Sequence, residues 1–282
     1  HAAAACTVSS LPTQDLRVSL VQGDTRWHDP AGNLAHYAAL IAPLAGQTDL
    51  VILPETFTSG FSNEAGEGAE DMNGPTVAWL RTQAARLDAV VTGSVQLRVD
   101  GQVFNRLLWV RPDGEVAFYD KRHLFRYGGE HKRYAAGSER LCVEWKGWRI
   151  NPQVCYDLRF PVFCRNRFDV ERPGQLDFDL QIFVANWPSA RAHAWKTLGM
   201  ARAIENLCYV ALVNRVGTDG NQLHYAGDSA LIDCLGQPQL ALHGSEQVAT
   251  TCLSADALHA HRQRFPAMLD ADAFALAGPD RG

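Results

Sequence analysis

The chain is expected to be an α/β protein with mixed sheets covered by helices. Three observations predict this class. Short apolar runs enriched in β-branched residues recur along the sequence, each bounded by turn residues. Some runs are separated by segments in which apolar residues fall near helical spacing. Others are separated only by turn signals, which sets antiparallel hairpins among the helix-linked strands.

Taken in order, Leu16–Gln22 is the first strand. Asp29-Pro30 opens a helix over Asn33–Leu44, and strand Asp49–Pro54 follows. Gly74-Pro75 opens a second helix over Thr76–Leu87. Ala89–Leu97, Phe104–Arg111 and Val116–Tyr119 form an antiparallel meander, turned at Asp100-Gly101 and at Pro112-Asp113-Gly114. Leu141–Trp145, Arg149–Cys155 and Leu180–Ala185 are further strands. Pro188-Ser189 opens a helix running to Asn206, with Trp195, Leu198, Ile204 and Leu207 near helical spacing. Cys208–Asn214, Asp228–Cys234 and Gln247–Leu253 complete the strands, and His259 and His261 sit on a terminal helix.

A chain of 282 residues holds one large α/β domain or two small ones. No internal repeat, low-complexity stretch or linker divides it, so residues 11–282 are read as a single domain. Residues 1–10 begin without Met and hold four consecutive alanines; they read as an expression remnant or a disordered tail. With 46% hydrophobic and 20% charged residues, the composition is that of a globular protein with a real core. A formal net charge of -5 with no basic run argues against nucleic-acid binding, and no apolar stretch approaches a membrane span. Seven cysteines without a close C-x-x-C pair read as a reduced, cytoplasmic protein rather than a disulfide framework.

Three residues stand out chemically. Glu55 ends Val-Ile-Leu-Pro-Glu, where a carboxylate leaves what would be a buried strand. Lys121 follows an apolar strand and opens a tract dense in charge, aromatics and glycine: Arg122, His123, Phe125, Arg126, Tyr127, Gly128, Gly129 and Glu130. Cys155 ends a strand and precedes Tyr-Asp-Leu-Arg-Phe-Pro, a context that the other six cysteines lack. A nucleophile on a sharp strand-to-helix turn projects its sulfur and frees the next backbone N–H as an oxyanion donor. The plain alternatives are a solvated loop glutamate, a strand-end lysine and a buried structural thiol. A thiol with a carboxylate base and a cation is a complete set for cleaving a carbon–nitrogen bond through a covalent intermediate. Competing signatures are missing: there is no G-x-S-x-G, H-E-x-x-H, P-loop or G-x-G-x-x-G, and the ten histidines show no metal-ligand spacing. For a cysteine–histidine pair, His193 and Asn214 could be nominated, but neither has a distinctive context.

The motifs resemble those of the nitrilase superfamily of carbon–nitrogen hydrolases, over roughly residues 16–253. Leu-Pro-Glu55, Asp-Lys121-x-His-Leu-Phe and Cys155-Tyr-Asp-Leu-Arg-Phe-Pro occur in the family's order. So do Ala185-Asn186-Trp187-Pro188, Arg202-Ala203-x-Glu205-Asn206 and Gly227-Asp228-Ser229. The chain looks most like the bacterial omega-amidase branch, although Glu130-His131-Lys132-Arg133-Tyr134 departs from the family's usual Pro-Gly version. The resemblance implies a four-layer α-β-β-α sandwich, usually dimerised. It implies Glu55 as general base, Lys121 as the oxyanion's cation, Cys155 as nucleophile and Glu130 as a second active-site glutamate. It implies a small amide substrate such as 2-oxoglutaramate and no metal or organic cofactor. Tyr156, Trp187, Phe125, Tyr127 and Arg126 are expected to contact substrate. A substrate carboxylate needs a cation or donor, and Arg126, Tyr127, Arg133, Arg159, Arg191 and His193 are all candidates; Arg159 is alternatively structural, paired with Asp157. A homodimer is expected through the helices after Cys155 and Pro188, using Phe160–Phe163 and the Trp195/Leu198 face. A nitrilase or N-carbamoyl amidase is the near alternative, and a non-catalytic binding module the remote one.

Overall fold

Two six-stranded sheets stack face to face, and helices cover their outer surfaces. A computed structural model describes residues 11–168 and 176–278; the expected tail over residues 1–10 lies outside them. In the first sheet, β1 (Leu16–Gln22), β2 (Leu50–Ile52) and β3 (Val90–Val99) run parallel. The meander β3, β4 (Gln102–Val110) and β5 (Val116–Asp120) is antiparallel, as expected. Asp100 and Gly101 turn its first hairpin with φ of 48° and 80°, the two positive values that a tight two-residue hairpin requires.

The second sheet centres on parallel β7 (Trp148–Val154), β8 (Leu180–Ala185) and β9 (Tyr209–Asn214). Short β6 (Val143–Trp145) and β12 (Ala230–Ile232) flank them antiparallel, with β13 (Pro238–Ala241) outside β12. β14 (Gln247–Leu253) returns to pair antiparallel with β1 in the first sheet. A two-stranded ribbon, β10 (Val216–Thr218) and β11 (His224–Ala226), was not foreseen; three-residue strands carry too little periodic signal.

Side-chain alternation assigns the layers. Leu16, Val18 and Leu20 of β1 face inward and share a core with Ile150, Ile182 and Ala211 of the other sheet. Val21, Val51 and Val91 point the other way, against Tyr37 and Ile41 of α1 (Pro30–Ile41) and Leu80 and Ala84 of α2 (Pro75–Leu87). Asp29 caps α1 by accepting from Gly32 N–H at 3.0 Å, and Pro30 occupies its first position. On the opposite outer face, α4 (Ala192–Asn206) lies so close to β9 that Gly199 has no room for a Cβ beside Leu212. The arrangement is the four-layer α-β-β-α sandwich, completed by short α3 (Pro161–Cys164) and C-terminal α5 (Ala255–Arg264).

One expectation fails here. Phe163 and Trp195 are 2% and 1% exposed, buried within their own chain. Phe163 packs on Tyr119 and His123, and Trp195 on Trp187. Apolar spacing marks a buried face without saying which surface buries it. Val162 and Ile204, not the two aromatics, are exposed on these helices.

Candidate active site

The polar residues singled out above leave the sheets at one edge. Glu55 follows β2, Lys121 follows β5, Cys155 follows β7 and Asn186 follows β8. Ligands of open α/β sheets collect at such carboxyl ends. Here two sheets present their ends together.

Lys121 is the hub. Its Nζ donates to Glu55 Oε1 at 2.9 Å and to Glu130 Oε2 at 2.9 Å and Oε1 at 3.2 Å. All three side chains are buried, at 0%, 0% and 1% exposure. Glu55 Oε2 accepts from the Asn186 backbone N–H at 2.8 Å, and the Asn186 amide donates to Glu55 O and Thr56 Oγ1. Glu130 Oε2 accepts from the Phe125 N–H at 2.6 Å, which ties the basic–aromatic tract back onto the ammonium. Burial alone would lower the Lys121 pKa; the Glu130 and Glu55 carboxylates outweigh it and hold the ammonium above its ordinary range. Burial pushes Glu130 up, Lys121 opposes it and Glu55 adds to it, with a net rise.

Cys155 has φ of 45°, a left-handed conformation that a side chain adopts only under constraint. Asp157 supplies the constraint. Its Oδ2 accepts from Val154 N–H at 3.0 Å and from Tyr119 OH at 2.7 Å. Its Oδ1 accepts from the His123 backbone at 3.1 Å and bonds His123 Nδ1 at 2.7 Å. The buried carboxylate thus pins the cysteine turn to the segment carrying Lys121. It leaves no pairing with Arg159, so that structural alternative is not realised. Burial pushes the Cys155 thiol well up; Glu55 adds to this and Lys121 opposes it. Thr56, beside Glu55, is also left-handed, at φ 45°, with its N–H on Ser94 Oγ.

Cys155 and Lys121 line one cavity of about 460 Å³. Phe125, Tyr127, Tyr156 and Trp187 also line it, Tyr127 at the rim with 88% exposure. Arg126 does not: it is exposed, because its chain turns outward through a short 3-10 turn. Arg133 belongs to a separate cavity with Arg98 and Lys132, and exposed His193 lies outside the active cavity. Arg159 and Arg191 do line it. Their guanidiniums lie over Trp187 and Phe125, 5.0 and 5.3 Å from the ring centroids. Among the described residues, neither has an acidic partner. No group of three or more His, Cys, Asp or Glu side chains could hold a metal ion there either. Sequence reasoning missed Asn105, whose amide donates to Glu55 Oε1 at 2.9 Å and Glu130 Oε1 at 3.2 Å. A lone asparagine inside a strand offers no signal.

Fold and site define a class: an α-β-β-α hydrolase acting on carbon–nitrogen bonds. The carbon-nitrogen hydrolase family profile matches residues 17–262, and the chain belongs to that family. Omega-amidase YafV of Yersinia enterocolitica is 48% identical over 262 residues, covering 93% of this chain and 98% of that one. A 2-oxoglutaramate amidase of Bacillus subtilis is 31% identical, covering 82% of this chain and 87% of its own. The crystal structure of XC1258 from Xanthomonas campestris, a CN-hydrolase superfamily protein with an arsenic adduct in its active site, superposes with a TM-score of 0.93. It is 78% identical and covers 94% of this chain and 100% of its own. The chain is an amide-hydrolysing enzyme of the omega-amidase branch. Among the described residues, no helix is long and apolar enough to cross a membrane.

Proposed function

We propose that the protein hydrolyses the terminal amide of a small carboxylated amide, with 2-oxoglutaramate as the preferred substrate, giving the acid and ammonia. One observation carries the choice: two guanidiniums, without acidic partners among the described residues, line the cavity that holds the thiol. Both guanidiniums are half-buried at the cavity wall, where a carboxylate can pair with them in a charge-assisted, bidentate way, so such a site favours an anionic ligand. The names of the two curated relatives agree with this substrate class.

In this reading Glu55 takes the Cys155 proton and the thiolate attacks the amide carbon. Lys121 stabilises the oxyanion, and such a donor typically contributes about 3 kcal/mol to the barrier. The tetrahedral adduct collapses, Glu55 returns the proton to the departing nitrogen, and ammonia leaves. Water then attacks the thioester, with Glu55 again as base. Glu130 keeps Lys121 charged and aimed. The working unit is one hydrolase domain over residues 11–282, in the cytoplasm, as a homodimer through the outer face of α3 and α4, where Val162 and Ile204 are exposed.

The test is ammonia release from a panel: 2-oxoglutaramate, glutamine, asparagine, carbamoyl amino acids and simple nitriles. The expected order of specificity constants has 2-oxoglutaramate first. Faster turnover of a nitrile or carbamoyl substrate would replace this reading, and no release from any would make the chain a binding module.

A further inference from the structure

We infer that Asn105 is a positioning residue for the reaction, holding Glu55 aimed beside a second carboxylate. The inference rests on the amidase reading above. Two carboxylates share one ammonium in a fully buried cluster, an excess of one negative charge. Two acids held this close repel unless a donor bridges them, and a Glu55 swung away from the cluster could not accept a proton from the thiol.

Asn105 sits inside β4, 2% exposed, and its Nδ2 group lies between the two acids. Among the described residues, it is the only side-chain amide hydrogen-bonded to both acids. Its own Oδ1 is buried and accepts from nothing among the described residues. That orphan oxygen fixes the amide's orientation, because the flipped amide would set an oxygen against two carboxylates. A buried acceptor left unpaired is unfavourable and calls for an explanation. Here two charge-assisted bonds to the acids supply one.

The consequence for Glu55 is specific. Oε1 is occupied by Lys121 and Asn105, both donors. Among the described residues, Oε2 receives a hydrogen bond from the Asn186 N–H alone. The remaining acceptor capacity therefore lies on Oε2, while the Cys155 sulfur rests 3.9 Å from the Asn186 carbonyl oxygen. Other ionisable groups facing the cluster are Lys121, Cys155 and Glu130, with Tyr134 beside Glu130 and Tyr225 beside Cys155. Asn105 is the uncharged member that can offset acid–acid repulsion at every pH.

The experiment compares wild type with Asn105→Leu across pH, using 2-oxoglutaramate and normalising rates to titrated active sites. Asn105→Leu is expected to lower kcat by about 10- to 100-fold, the worth of one charge-assisted bond. KM should stay within about three-fold, because Asn105 is not among the cavity-lining residues. The acid limb of kcat/KM, which reports the coupled carboxylates, should move up by about one pH unit. A merely structural asparagine would lower thermal stability and the titrated fraction but leave the acid limb and the per-site kcat where they were; that result overturns the inference. If Asn105→Leu fails to fold, Asn105→Ser gives the same reading, since serine is too short to reach both acids. Wild type inactive on every amide would instead refute the amidase reading, independently of Asn105.

Discussion

Lys121 Nζ donates to Glu55 Oε1 at 2.9 Å across 66 residues of sequence, with both side chains wholly buried. Neither charge is tolerable there alone. Removing one partner of a buried pair commonly costs about 3–5 kcal/mol, because the other is left uncompensated. Lys121→Met leaves two buried acids with no cation. It is expected to lower unfolding free energy by about that amount and to abolish turnover. Urea denaturation with parallel ammonia assays checks both; unchanged stability would mean that the cluster is not buried as described.

Glu130→Gln keeps the volume and the contact to Lys121 but removes one negative charge. We expect kcat to fall about 10- to 1,000-fold with the protein fully folded, since Lys121 keeps the contact but loses one of its two anionic partners. Steady-state kinetics on active-site-titrated enzyme decides it. Near-normal kcat would restrict Glu130 to stability.

Arg159→Met and Arg191→Met test the carboxylate end. Each should raise KM for 2-oxoglutaramate by about ten-fold or more while leaving a neutral amide of similar length nearly unchanged. Equal effects on both amides would mean that these cations shape the cavity without reading charge.

Stability should vary with pH at both extremes. Asp49, held by Arg17 and Lys146 at about 2 against an ordinary 3.8, stabilises the fold above pH 3.8 and stops doing so as pH falls through about 2. Asp179, lowered by Arg262 and Arg149, acts in the same direction. Because Arg17 is 44% exposed, the Asp49 contribution is screened to about 1 kcal/mol. Lys121 works oppositely: its folded value lies above 10.5, so its contribution is whole below pH 10.5 and is lost on further alkalinisation. Asp49→Asn should flatten the acid limb of a denaturation series between pH 3.8 and about 2.

Much of this was legible in the sequence because the candidate site residues end strands. Glu55, Lys121 and Cys155 each interrupt an apolar run, and that interruption shows in one dimension. The meander showed because Asp100-Gly101 has one common backbone solution. What did not show depends on neighbours distant in sequence. Arg159 and Arg191 could not be separated from Arg126 or Arg133 until the cavity selected them. Asn105 is an unremarked strand residue until two glutamates 50 and 25 positions away close on it. Phe163 and Trp195 look like surplus apolar surface until the chain's own aromatics cover them.

The central claim, an acyl-enzyme on Cys155, has a direct measurement. Wild-type enzyme turning over 2-oxoglutaramate is quenched in acid, digested, and its cysteine peptides weighed. The account predicts a thioester adduct on the peptide containing Cys155, absent from those containing Cys164 or Cys208 and absent throughout in Cys155→Ser, which should retain about a thousandth of the activity or less. An adduct on another cysteine, or Cys155→Ser releasing ammonia at near the wild-type rate, would contradict it.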